Sequence, residues 1–99
     1  MRKSINYENY LVSSLKNSKE ASGYLNAALQ EGDIRAFLLA LYHVVQAQGG
    51  INMLAEKTKC SRTSLYKALS KKGNPYLKSI HGILTAMNMK LVIEKSDRS

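Results

Sequence analysis

Apolar positions recur with a helical period along most of this chain and change to a period of two only near its end. Tyr7, Tyr10, Leu11 and Leu15 predict a first helix over 7–16, interrupted at Asn17-Ser18. Ser18 is expected to cap a second helix that carries Ala21, Tyr24, Leu25, Ala28 and Leu29 along one side, with Gly32 as its C-cap. Asp33 then caps the longest predicted helix, Ile34 to about Gln48, whose stripe is Ile34, Phe37, Leu38, Leu41 and Val45. Leu39, Tyr42 and Val44 widen that stripe, so this helix is either covered on two sides or presents a patch to a partner. Gly49-Gly50 closes it, and residues 1–6 precede the pattern as an expected mobile lead-in with two positive charges.

From Gly50 to Pro75 the pattern tightens into two short helices. Ile51, Leu54 and Ala55 share one face of the first, leaving Asn52, Glu56 and Lys57 outside. The break falls at Thr58-Lys59-Cys60, and Ser61 offers a hydroxyl to the free amides of a new helix over about Arg62–Ser70. Leu65, Ala68 and Leu69 face inward on it; Arg62, Thr63, Tyr66, Lys67 and Ser70 face outward. Lys71-Lys72-Gly73 provides a cationic last turn and a C-cap, after which Asn74 is expected to cap the next helix and Pro75 to occupy its first position. Leu77, Ile80, Ile83, Leu84 and Met87 form the buried face of that helix, with Lys78 and Ser79 outside. Over Met89–Lys95 the alternation predicts a single strand, whose hydrogen bonds another chain would have to meet; a frayed extended tail is the alternative.

Two short helices joined by a tight turn, the second basic on one face, are the sequence form of a helix-turn-helix that lays its second helix in a DNA groove. An inward apolar stripe is required of any packed helix, and a basic outer face can be merely solvated. The outward face together with the helix N-terminus suits base edges and phosphate. On this reading Arg62, Thr63 and Lys67 read bases in double-stranded operator DNA, with Arg62 the choice for a bidentate contact to guanine. Ser61, Ser64, Tyr66, Lys72, Asn74 and Lys78 meet the DNA backbone, helped by the amides at Ile51.

Charge sharpens this picture. Of the net +8 on 99 residues, all the excess lies in residues 57–93, where Lys57, Lys59, Arg62, Lys67, Lys71, Lys72, Lys78 and Lys90 meet no Asp or Glu. Outside that window seven basic residues balance seven acidic ones, as an electrostatic footprint for a phosphate backbone requires. A membrane surface would call instead for a long amphipathic helix with lysines flanking an apolar face. No run of 18 apolar residues and no signal-peptide core is present, and the single cysteine cannot form an internal disulfide, so a cytoplasmic protein is expected. With 44% hydrophobic residues, the length suits one domain over 1–99 with a modest core.

No catalytic constellation is evident and no cofactor is expected. His43 and His81 have no carboxylate three or four residues on, which argues against a metal site, and no glycine-rich turn supports a Cys/His nucleophile or a phosphate cradle. Cys60 is expected as an inert, buried thiol between the two short helices, and Tyr7, Tyr10 and Tyr24 as packing residues.

Leu54-Ala55-Glu56-Lys57-Thr58, Ser61-Arg62, Ser64-Leu65-Tyr66-Lys67-Ala68-Leu69-Ser70 and Gly73-Asn74-Pro75 resemble the addiction-module antidote family, HigA-like antitoxins with a phage-repressor-type helix-turn-helix. The resemblance extends upstream through Tyr24–Leu29 and Gly32-Asp33, and downstream to Lys90-Leu91-Val92. One departure is Lys59, which stands where the family usually has Gly in the turn. The resemblance implies an all-α phage-repressor-like bundle with an extra N-terminal helix and a short C-terminal strand. It also implies an antitoxin that neutralises a RelE-like toxin and represses its own operon; a free-standing phage-type regulator without a toxin is the alternative. The expected layout places the toxin contact on the N-terminal helices of 7–48, the helix-turn-helix and following helix on 50–87, and the joint of a homodimer on 89–95.

Overall fold

The computed structural model describes the backbone of residues 7–70 and 72–97 and the side chains from Tyr10 onward. The lead-in over 1–6, the packing role expected of Tyr7 and the cationic turn at Lys71 lie outside the described residues. Among the described residues six helices follow in order: α1 (Tyr7–Ser14), α2 (Ser18–Gln30), α3 (Ile34–Ala47), α4 (Gly50–Thr58), α5 (Arg62–Leu69) and α6 (Leu77–Ala86). The helix periodicity of the sequence is thus realised throughout, and α3 is the hub: it packs on α1, α2, α4 and α5, while α4 also meets α5 and α6.

The hub position explains the excess apolar character of α3. Phe37, Leu38, Ala40, Leu41, Val44 and Val45 are all buried, because neighbours cover the helix on more than one side. Val44, one of the three residues that widened the stripe, is 0% exposed; Tyr42 is half-buried and Leu39 remains outside. Leu54, Leu65, Leu69, Ile80, Ile83, Leu84 and Met87 carry the same core through α4, α5 and α6. Each such side chain removed from water contributes roughly 1.5–3 kcal/mol before entropy is counted.

Several helix ends differ from expectation. Asn17, not Ser18, caps α2: its Oδ1 accepts from the amides of Lys19 at 2.8 Å and Glu20 at 3.0 Å, leaving Ser18 as the first helical residue. Asp33 does cap α3, accepting from the Arg35 amide at 2.9 Å. Ile34 next to it, in the first turn of α3, is 56% exposed. Asn74 and Pro75 do not start α6; Tyr76 is extended and the helix begins at Leu77, which is 71% exposed. Tyr10 and Leu29 also lie at the surface, whereas Leu15, Ala21 and Leu25 are buried as expected.

The C-terminal strand is absent. The fold is all-α, and residues 89–95 carry no strand among the described residues. Left-handed Asn88 (φ 61°) ends α6, and the Met89 amide donates back to Leu84 O at 2.9 Å. Beyond that anchor the side chains become steadily more exposed, from half-buried Met89 through Leu91 to Ile93, which is 98% exposed. Alternation in sequence gives two faces only when a paired ladder flattens the chain, and no second extended segment lies beside this one to pair with it among the described residues.

Candidate nucleic-acid interface

Three residues separate α4 from α5, and each has a local reason for its conformation. Thr58 Oγ1 donates to Leu54 O at 2.8 Å, and the same oxygen accepts from the Cys60 amide at 3.3 Å, which ties the end of α4 to the turn. Lys59 takes the left-handed conformation (φ 62°, ψ 26°) that glycine adopts more easily. Ser61 is extended and its Oγ accepts from the Ser64 amide at 3.1 Å while donating to Ser64 Oγ at 2.9 Å, so it is the N-cap of α5.

Cys60 is exposed, contrary to the expectation of a buried thiol. Leu54 and Leu65 fill the core at this end of α4 and α5, and Cys60 lines an open cleft with Leu65.

Burial of Leu65 and Leu69, with Ala68 half-buried, fixes the roll of α5 and leaves Arg62, Thr63, Ser64, Tyr66 and Lys67 exposed. The chain then folds tightly under the end of the helix. The Ser70 amide bonds to Lys67 O at 3.3 Å and the Gly73 amide to Ser70 O at 2.8 Å. A Cβ on Gly73 would lie 2.7 Å from Lys67 O, 2.8 Å from Ala68 O and 2.9 Å from Ser70 O, closer than real side chains come. Only glycine allows that approach, and the approach carries Lys72, Asn74 and Tyr76 back beside Lys67.

Two open clefts result. Ser64, Lys67, Ser70, Lys72, Asn74 and Tyr76 line one of about 500 Å³, so four of the expected contact residues come together there. Lys78 does not join them: it lines the neighbouring cleft of about 620 Å³ between α5 and α6, with Cys60, Leu65 and His81, and Ser64 stands on the border of both. Arg62, Thr63 and Tyr66 line neither and stand on the open face of α5.

Electrostatically the face is uncompensated. Among the described residues Arg62, Lys67, Lys72 and Lys78 join no salt bridge; the pair Arg35–Asp33, at 3.7 Å, lies at the start of α3. Lys57 is partly used, its Nζ donating to Ala86 O at 3.4 Å at the end of α6, where a cation offsets the helix dipole. Two residues of this region are not evident as contacts in the sequence. Asn52, an outward position of α4 by spacing, accepts from Arg62 Nη1 at 3.3 Å. Tyr76 is 82% exposed on the cleft with Lys72; the resemblance of Asn74-Pro75 to a helix start hides it. Among the described residues no group of three or more His, Cys, Asp or Glu could hold a metal ion, and no helix is long and apolar enough to cross a membrane.

The family model described as "Probable addiction module antidote protein" matches residues 5–95. The chain belongs to this family. A relative from Haemophilus influenzae strain Rd, described as an uncharacterized protein, is 34% identical over 82 residues, covering 83% of this chain and 84% of that protein. No solved structure matches the chain. Membership of an antidote family implies a toxin partner and a regulatory protein, in keeping with the coarse expectation drawn from the resemblance.

Proposed function

We propose that this antidote-family protein is the antitoxin of a type II toxin-antitoxin module, acting in the cytoplasm as a repressor of its own operon and neutralising a RelE-like toxin. In this reading α4 and α5 are the helix-turn-helix and α5 enters the major groove. The observation that carries it is the exposed basic face of α5, free of salt bridges among the described residues, on a chain that is electrically neutral outside residues 57–93. Arg62, Thr63 and Lys67 read bases; Ser64, Lys72, Asn74 and Lys78 meet phosphates from the clefts on either side of Ser64, and Ser61 and Tyr66 do so from the N-terminus and open face of α5. An eight-residue recognition helix reads few base pairs, so the operator is bound by a homodimer across a palindrome. The toxin contact falls on the N-terminal helices, where Tyr10, Leu29, Ile34 and Leu39 remain exposed.

The test uses duplex DNA from upstream of the protein's own gene and a competition assay. Arg62→Ala should flatten preference at one base pair per half-site, a loss of roughly 1–3 kcal/mol of discrimination. Lys72→Ala and Lys78→Ala should each make the log-log salt dependence shallower by about 0.9 while leaving preference intact. An Arg62→Ala variant with unaltered preference would remove α5 as the reading face. Co-expression with the product of the adjacent reading frame tests the toxin arm: no complex and no growth rescue would leave a free-standing regulator.

A further inference from the structure

The start of α5 is tied to the start of α4 by one side-chain bond. Arg62 Nη1 donates to Asn52 Oδ1 at 3.3 Å, across ten residues of sequence and between two exposed side chains. Arg62 is the first residue of α5, and Asn52 lies in the first turn of α4. The backbone between them is held by the Thr58 and Ser61 hydroxyls, so the two side chains are presented to each other by a fixed turn.

An arginine on an open helix face samples many rotamers, and ordering it on binding costs free energy that a pre-formed contact removes. A side-chain amide can supply that contact, because its oxygen accepts from the guanidinium without neutralising it and the positive charge stays available to an anionic surface. An aspartate in the same place would hold Arg62 as well but would set a negative charge beside the phosphates. The contact occupies one of the five N–H donors of the guanidinium, and the remaining four include a pair that can reach a guanine edge.

We propose that Asn52 is a positioning residue for sequence readout: it holds the Arg62 guanidinium in its base-reading orientation, so that specificity at the Arg62 base pair is set jointly by α4 and α5. The inference rests on the reading of α5 as the recognition helix. Asn52 itself need not touch a base.

The experiment selects bound duplexes from a randomised DNA library with the full-length protein and its variants Asn52→Ala, Asn52→Asp, Arg62→Ala and the Asn52→Ala/Arg62→Ala pair. Base preferences at each position are then compared by sequencing. Helix content by circular dichroism confirms that each variant is folded, as expected for changes at exposed positions. Arg62→Ala should flatten one position. Asn52→Ala should weaken preference at that same position about two- to tenfold, the range for ordering one long side chain. The double variant should match Arg62→Ala there, and Asn52→Asp should retain the preference while binding all sequences more weakly. The proposal is overturned if Asn52→Ala lowers affinity for every sequence alike with preference intact, which would mark a phosphate contact, or if its effect on that position adds in full to that of Arg62→Ala. If Arg62→Ala flattens no position, the recognition reading itself fails and takes this inference with it.

Discussion

Lys59 offers the sharpest check on the turn between α4 and α5. At ordinary helix positions Ala is better than Gly by about 1 kcal/mol, because glycine loses more backbone freedom on folding. At φ 62° and ψ 26° the order should reverse, since Cβ crowds the following carbonyl and costs a non-glycine residue roughly 1–2 kcal/mol. Subtracting the entropic disadvantage of glycine leaves Lys59→Gly more stable than Lys59→Ala by about 0.5 kcal/mol. Both variants delete the same exposed side chain, so charge and solvation largely cancel in the comparison. For a domain of this size a difference of about 0.5 kcal/mol corresponds to about 2–4 °C in Tm, within reach of thermal unfolding followed by circular dichroism. A urea titration should show the same order with an unchanged slope. An alanine variant as stable as the glycine variant would mean that residue 59 is not left-handed, and the placement of α5 against α4 would fall with it.

Two other substitutions probe the frame of the same face. Ser61→Ala removes the oxygen that accepts from the Ser64 amide and should cost about 1 kcal/mol in urea unfolding; no loss would mean that α5 is capped otherwise. Gly73→Ala should destabilise by roughly 1–3 kcal/mol, because its Cβ would meet three backbone carbonyls, and should weaken DNA binding by moving Lys72 and Asn74. Unaltered stability and binding in that variant would refute the tight return of the chain under α5.

The helices were legible because each inward stripe needed only helical spacing and enough neighbours to cover it. Helix ends were less so. A cap is chosen by which side chain reaches two free amides, and Asn17 and Ser18 are equally good candidates in sequence; the geometry favours Asn17 because its Oδ1 reaches both Lys19 and Glu20. Likewise Asn74-Pro75 has the composition of a helix start, yet the tight approach of Gly73 to the end of α5 is followed by an extended Tyr76, and α6 begins only at Leu77. The tail misleads for a different reason. Its alternation of Met89, Leu91 and Ile93 with Lys90, Val92 and Glu94 describes what a paired strand would look like, but pairing depends on a neighbour that local sequence does not specify.

The candidate interface divides along the same line. Which residues face outward on α5 follows from where Leu65 and Leu69 point, so Arg62, Thr63, Tyr66 and Lys67 could be named from spacing alone. Which residues stand together depends on the path of the chain after the helix. Lys72 and Asn74 reach the cleft of Lys67 only because Gly73 closes on Lys67 O, whereas Lys78, placed six residues after Lys72, is carried by α6 to the far side of Ser64. The bond from Arg62 to Asn52 belongs to the same class of fact. It requires α4 and α5 to cross so that their first turns face one another, and that angle is set by left-handed Lys59 and the Thr58 and Ser61 hydroxyls rather than by any periodicity. Charge survives this uncertainty better than geometry does: a stretch with eight cations and no anion, between residues 57 and 93, stays positive whichever way its loops run. The sign of the charge on this face was therefore readable before the fold, and which side chains stand together on it was not.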